Sequence, residues 1–369
     1  MSSNRRQWLK QSSLAALGLG ISLRSLAGED YLPRNFGSEN GLINLGSNEN
    51  PYGISPQAKE AIRAMIGQAH RYHFNISELD YFKKQLADHY GVREENLLVT
   101  AGSGEGLNLL ARHFSNGNIV TAYPTFGILP NTAKRIGTKV IEVALTENKV
   151  HDLDKMLSSI NNNTSLVYIC NPANPSSSMV KPAQLKNFCV EASKKTSVLI
   201  DEAYIDFLDA PDNESMISLI DKNPNILVIR TFSKIHAMAG LRIGFIAAHP
   251  QTIKKLGENH FASTQSCMSA LSMAAALASL KDREHQLQSK AKNAAARKYA
   301  IGELTKMGHV VIPSYTNFIF YQLKNFEGDF AAHMLKKNIL LRSNNYADGK
   351  WVRVSVGTLD EMKTFVMNL

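Results

Sequence analysis

Little in this chain of 369 residues serves to staple, anchor or repeat. Its three cysteines, Cys170, Cys189 and Cys267, are unevenly spaced and form no CxxC pair. Such a set suits neither a disulfide framework nor a thiolate metal centre, so the three are read as core residues and no metal is expected. No internal repeat is evident, and low-complexity sequence is confined to Asn161-Asn162-Asn163 and Ser176-Ser177-Ser178. Basic residues are scattered and not interleaved with aromatics, which argues against a nucleic-acid surface.

Acidic residues are missing from the N-terminus. Arg5, Arg6, Lys10 and Arg24 all precede the first one, Glu29, and subtracting those four from the formal charge of +9 leaves about +5. That surplus is modest and suits anionic small ligands. Asn4-Arg5-Arg6-Gln7-Trp8-Leu9-Lys10 leads into an apolar run, Leu14 to Leu23, softened by Gly18 and Gly20. The run is shorter than the roughly 20 residues a stable membrane span needs. The segment reads as a twin-arginine export signal, with Ser25 and Ala27 fitting the positions before a cleavage after Ala27. The competing readings are a basic amphipathic helix and a chance arginine pair. Export through the twin-arginine machinery to the periplasm or beyond is the expectation; a segment without signal activity leaves the protein cytoplasmic.

At 44% hydrophobic residues the chain can build a large core. Near-continuous Val/Ile/Leu runs at 97–100, 119–122, 140–143, 166–170, 198–200, 226–231 and 243–247 read as strands buried on both faces. Helical patterns lie between most of them, notably at 105–114 and 182–195. From about Gln265 long helical patterns, 266–281 and 283–307, give way to short strands at 310–312, 318–323, 339–342 and 351–356. The expected architecture is α/β, a large domain with a mostly parallel seven-stranded sheet flanked by helices, plus a smaller α+β domain. The boundaries read are 1–27 for the signal, 28–66 for an N-terminal arm and part of the small domain, 67–258 for the large domain and 259–369 for the C-terminal small domain.

In an open parallel sheet, ligands bind beyond the carboxyl ends of the strands, and the chemistry of this chain falls there. Ala101-Gly102-Ser103-Gly104 turns into a helix, where backbone N–H groups and the helix dipole favour phosphate. Tyr123-Pro124-Thr125-Phe126 offers an aromatic that can stack on a flat ring or serve as a core phenylalanine. Asn171-Pro172-Ala173-Asn174-Pro175 presents amides held by two Asn-Pro steps. Asp201-Glu202-Ala203-Tyr204 places a carboxylate that can keep a pyridine nitrogen protonated, or cap a helix. Thr231, Phe232, Ser233 and Lys234 end another strand, followed by Arg242. A desolvated lysine loses its proton more readily, and its neutral amine forms an imine with an aldehyde. Ser233 and Arg242 offer a hydroxyl and a forked cation to a phosphate. For an isolated Ser-Lys pair a surface lysine is the better reading; the ordered series of strand ends favours pyridoxal phosphate.

These motifs, from Leu45-Gly-Ser-Asn-Glu-Asn-Pro-Tyr-Gly53 to Val352-Arg353-Val-Ser-Val-Gly357, resemble the fold-type-I aminotransferases that use pyridoxal 5'-phosphate, and among them most nearly the histidinol-phosphate aminotransferase family. The resemblance implies that Lys234 joins the cofactor as an imine and shuttles the proton, that Asp201 pairs with the ring nitrogen, and that Asn174 and Tyr204 contact the phenolate oxygen. Ser103, Gly104, Thr231, Ser233 and Arg242 would hold the phosphate, with Phe126 stacked on the ring. Tyr72 would reach the partner subunit's cofactor phosphate, making a homodimer obligatory. Arg353 would grip the substrate carboxylate and Arg342 a distal group, with Asn50 and Tyr52 also at the substrate. Amino donor and 2-oxo acid acceptor are the implied small-molecule partners. A decarboxylase or lyase of the same fold, or an exported ligand-binding protein, are the alternatives. Two departures stand out: Ser176-Ser177 replaces the usual Thr-Gly after Asn-Pro-x-Asn-Pro, and His236 follows the lysine where relatives carry apolar or small residues. His236 is read as a neighbour of the pocket wall.

Overall fold

The computed structural model describes residues 41–71, 76–261 and 268–369. The expected export segment, Tyr72 and Cys267 lie outside them. The first strand, β1 (Ile43–Asn44), is followed by seven that build one sheet: β2 (Leu97–Thr100), β3 (Asn118–Tyr123), β4 (Val140–Ala144), β5 (Thr164–Cys170), β6 (Ser197–Asp201), β7 (Ile226–Thr231) and β8 (Gly244–Ala248). Their spatial order is β2-β8-β7-β6-β5-β3-β4. Only β8 runs against its neighbours, pairing antiparallel with both β2 and β7; the other pairings are parallel. This is the mostly parallel α/β sheet expected from the uninterrupted apolar runs.

Strand periodicity divides the core between the sheet's faces. Val167, Ile169, Val198, Ile200, Ile226 and Val228 belong to one cluster; Leu166, Tyr168, Leu199, Leu227 and Ile229 belong to the other. The first is covered by the helices Pro56–Met65, Ile76–Tyr90, Pro182–Ser193 and Ala270–Lys281. The second is covered by Ser103–His113, Ile128–Arg135 and Pro250–Leu256. With both faces covered, the parallel strands bring their carboxyl ends to one edge of the sheet.

A second sheet is formed by β9 (Val310–Ile312), β10 (Phe318–Gln322), β12 (Arg342–Tyr346) and β13 (Gly349–Ser355), in the antiparallel order β12-β13-β10-β9. Its core side packs on the helices Arg283–Lys306 and Leu359–Met367. One expectation is corrected here. The single strand expected at 339–342 is two elements: β11 (Ile339–Leu340) pairs parallel with β1, and β12 pairs antiparallel with β13. Buried Leu341 stands between them, where the chain leaves one ladder for the other. The apolar run Ile339-Leu340-Leu341 hid the change of partner, because it continues past the end of β11 to buried Leu341 while β12 itself is polar and largely exposed.

A buried ion pair anchors the loop after β6. Arg230 on β7 holds Glu202, with Nη2 to Oε2 at 2.9 Å and side-chain exposures of 4% and 1%. Ser215 Oγ and the Met216 amide also donate to Glu202, and the guanidinium lies 4.8 Å from the Tyr90 ring centroid. Glu202→Ala leaves buried Arg230 with only the more distant Asp206 carboxylate, 3.9 Å away, so urea unfolding is expected to show a loss of about 3–5 kcal/mol. A loss below about 1 kcal/mol, the size of an exposed pair, would contradict this account.

Candidate active site

The loops at the carboxyl ends of β2, β5, β6 and β7 converge with the entry segment after β1 and with β13. At the end of β2 the chain turns through Gly102, at φ 78°, into the helix Ser103–His113. A Cβ on Gly102 would lie 2.4 Å from Arg242 Nη2, so only glycine lets that guanidinium approach the helix N-terminus. Gly244 on β8 is equally constrained, since a Cβ there would meet the Ser103 nitrogen at 2.8 Å. Arg242 itself takes a left-handed φ of 53° and donates to the carbonyl of Ala239 at 2.8 Å. Thr231 donates to Ser233 through their hydroxyls at 2.9 Å. Helix N–H groups and the Arg242 guanidinium thus stand together, with the Thr231–Ser233 hydroxyl pair at the carboxyl end of β7, across β8 from β2.

Asp201 ends β6 and is 1% exposed. Its Oδ2 accepts from the Tyr168 hydroxyl at 3.1 Å and its Oδ1 from the Ala203 amide at 3.1 Å. The latter bond closes a local turn, so Asp201 is not capping a helix. Burial pushes its carboxyl up to about 6, against the pull of those donors and of Lys234. Burial moves Lys234 the other way, down to about 8, helped by the positive charge of Arg353. Lys234 Nζ donates to the carbonyl of Asn48 at 3.1 Å and lies 5.7 Å from the Tyr204 ring centroid.

The Tyr204 hydroxyl accepts from Asn174 Nδ2 at 3.2 Å and from Asn48 Nδ2 at 3.0 Å. Asn174 Oδ1 accepts from Arg353 Nη1 at 2.9 Å, and Arg353 Nη2 donates to the Gly46 carbonyl at 2.6 Å. Arg342 Nε points at that same carbonyl, at 3.4 Å. The two arginines are direct cross-strand partners on β12 and β13. The structure therefore gathers Lys234, Asp201, Asn174, Tyr204, Arg353 and Arg342, with Ser103, Gly104, Thr231, Ser233 and Arg242 at the anion end. Phe126 is half-buried and packs against the second core cluster. Asn50 spends its amide on the Ile235 carbonyl at 2.9 Å, and Tyr52 lies under Lys292 Nζ at 5.3 Å. Both brace the entry segment. His236 is buried, with Nδ1 2.9 Å from Ser279 Oγ, and burial holds it down at about 4. It is neutral and packed between Phe232 and Ser279.

The family model for "Aminotransferase class I and II" matches residues 40–369. The chain belongs to the class I and II aminotransferases. Among relatives of this aminotransferase, the histidinol-phosphate aminotransferase of Bacillus licheniformis is 33% identical over 331 residues, 89% of this chain and 90% of that one. The Bacillus subtilis histidinol-phosphate aminotransferase is 33% identical over 330 residues, 88% and 90% of the two chains. A solved structure from Erwinia carotovora atroseptica matches with TM-score 0.82 at 31% identity, covering 88% of this chain and 94% of that one. The histidinol-phosphate aminotransferase of Sinorhizobium meliloti, solved in complex with pyridoxal-5'-phosphate, shares the fold with TM-score 0.80 at 24% identity, covering 94% and 96%.

The aminotransferase cofactor is pyridoxal 5'-phosphate, and the donor set fits it. The Tyr204 hydroxyl accepts from two amides and keeps its own proton for a phenolate oxygen. The guanidinium of Arg242 and the first N–H groups of the helix suit a phosphate, and buried Asp201 suits a ring nitrogen. Arg353 Nε is buried with no protein partner, an unmet donor of the kind a carboxylate ligand satisfies. Bound there, the cofactor supplies an aldehyde for the amine and a protonated ring that accepts electrons released at the substrate α-carbon. Sequence reading missed Asn48, Tyr168 and Ser355; Ser355 Oγ donates to Asn48 Oδ1 at 3.0 Å and accepts from its amide at 2.7 Å. Their partners are far away in the chain, so no local spacing marks them.

Above about 8 the Lys234 amine is neutral and nucleophilic; below it the ammonium predominates. In protein freed of cofactor, the rate of covalent capture of added pyridoxal phosphate, followed by stopped-flow absorbance, is therefore expected to rise with pH and level off just above 8. A rate still climbing toward the ordinary lysine value of about 10.4 would contradict the desolvated setting.

Proposed function

We propose that this aminotransferase moves an amino group between an amine whose far end carries a phosphate or carboxylate and a 2-oxo acid, and that Lys234 is the proton shuttle. The observation carrying the substrate class is the pairing of Arg342 with Arg353. Like charges directly opposite on neighbouring strands repel, and among the described residues neither has a carboxylate within ion-pair distance. Both guanidiniums turn to one carbonyl, that of Gly46. An incoming dianion relieves the repulsion. A histidinol-phosphate-like amine, as in the names of the relatives, meets this requirement, and so does a dicarboxylic acceptor.

In this reading Arg353 orients the substrate anion with its fork, Lys234 holds and returns the proton at the α-carbon, and Asp201 keeps the ring nitrogen protonated. Asn174 and Tyr204 fix the ring oxygen; Ser103, Gly104, Thr231, Ser233 and Arg242 hold the phosphate, and Phe126 covers the ring. Homodimer assembly is part of the proposal on the resemblance at Tyr72. Export by the twin-arginine route rests on Arg5-Arg6 and the apolar run after it, in the stretch before residue 40 that the family model leaves unmatched.

Lys234→Ala is expected to abolish transfer and the visible absorption of lysine-bound cofactor; retained transfer would refute its role. Arg342→Gln is expected to raise KM for donors and acceptors with a distal anion about 10- to 100-fold, the value of a hydrogen bond to a charged group. Alanine and pyruvate should change by less than about threefold, since they lack that anion; an equal rise for both classes would overturn the substrate assignment. For export, residues 1–35 fused to a reporter should carry it across the inner membrane, and an Arg5/Arg6→Lys pair should retain it inside.

A further inference from the structure

Tyr168 sits in the middle of the seven-stranded sheet with no exposed surface. A buried phenol needs a polar partner, and this one has been given the carboxylate on which the cofactor ring depends. The register explains the reach. Cys170 is the Cα partner of Asp201 across β5 and β6, so Tyr168 is one pleat earlier on the adjacent strand. Its backbone carbonyl accepts from Thr121 Oγ1 on β3 at 3.0 Å, which fastens the strand from the other side. We propose that Tyr168 is the positioning residue of the ring-nitrogen site: its hydroxyl, donating to Asp201 Oδ2, holds that carboxylate in place and ionised so that the proton stays on the cofactor ring. The inference rests on the cofactor assignment above and extends it to a residue outside the motifs.

The other groups around Asp201 do not do this. Cys170 directs its thiol to the carbonyl of Pro172 at 3.4 Å, Glu202 is committed to Arg230, and the Tyr204 hydroxyl lies with Asn48 and Asn174. Lys234 attracts Asp201 through its charge, with its ammonium directed to the Asn48 carbonyl. Among the described residues Tyr168 is thus the side chain that donates to this carboxylate, alongside the Ala203 amide. A donor to a carboxylate favours the ionised form. Remove it, and the proton shared between ring nitrogen and carboxylate moves toward Asp201, which weakens the electron sink without removing a contact to substrate.

Tyr168→Phe deletes one oxygen and keeps the ring that fills the core. The holoenzyme is reconstituted with cofactor labelled with 15N at the ring nitrogen, and its resonance is recorded for wild type and variant. The wild-type resonance of bound cofactor tests the site assignment by itself; the difference between the two proteins tests Tyr168. The expected result is a shift toward the unprotonated ring value, with kcat lowered about tenfold or more and KM for the amino donor within about threefold. Replacement of Tyr168 by 3-fluorotyrosine, a stronger donor, should move the resonance in the opposite direction. An unchanged resonance in Tyr168→Phe overturns the proposal, whether kcat holds or falls, because a merely structural residue would lower activity without moving the ring proton.

Discussion

The side chain of Asn174 carries the organisation of this enzyme. Its nitrogen donates to Tyr204 after β6, and its oxygen accepts from Arg353 on β13. An amide with one donor face and one acceptor face joins the large sheet to the second sheet in a single buried group. Asn48 extends the chain of bonds, donating to the same Tyr204 hydroxyl and accepting from Ser355. Asn317 then fixes the backbone of that entry segment, giving its amide to the carbonyls of Asn48 and Glu49 at 3.0 and 3.2 Å. Lys234 donates to the Asn48 carbonyl. Lys234, Asn174, Tyr204 and Arg353 are therefore referenced to one network, in which each member has its orientation set by another. Such a network is costly when half-made and rigid when complete.

Burial acts on this network with opposite signs. Taking charge out of water disfavours the ionised form, so Asp201 becomes a weaker acid and Lys234 a stronger one. The two shifts serve different ends. In the proposed mechanism Lys234 uses its neutral amine near physiological pH, whereas Asp201 uses its charge and is given two donors that favour it. Arg353 adds to the lowering of Lys234 and has its own excess charge turned to carbonyl oxygens. One physical cause, desolvation, thus sets the nucleophile directly and is countered locally where an anion is required.

Much of the fold was legible because parallel strands buried on both faces are continuous apolar runs that stand out from their surroundings. The site motifs were legible for a related reason: each lies where such a run stops. What the sequence concealed was any pairing between distant segments. Tyr168 looks like one more apolar position in β5 until β6 is laid beside it. Asn48 reads as part of an entry loop until Tyr204 and Ser355 close on it. Asn50 and Tyr52 likewise meet distant residues, Ile235 and Lys292, that no local spacing announces. Ser177 illustrates a local rule overridden. It adopts a left-handed φ of 58° where the family pattern has glycine, held by its amide to the Ala173 carbonyl at 2.9 Å and by the Tyr315 amide donating to its own carbonyl at 2.9 Å. Asn174 keeps its contacts despite the substitution.

Under the proposed function, the placement of Arg342 and Arg353 selects the kind of molecule that completes the site. The cross-strand guanidiniums share the Gly46 carbonyl, and Arg353 has the Asn174 oxygen besides, so neutral oxygens and no carboxylate face the two charges among the described residues. In the free enzyme this arrangement is unfavourable, and half-buried Arg353 bears the greater part because water screens it less than it does Arg342. Binding of an anion converts that unfavourable term into attraction. A neutral tail leaves it in place, so discrimination arises from the state without ligand as much as from contacts in the complex. Arg342 is exposed while Arg353 is half-buried, which grades the pair from a screened cation at the mouth to a desolvated fork beside Asn174. The position of the deeper arginine is fixed by Asn174 relative to Tyr204, and through Asn48 relative to Lys234.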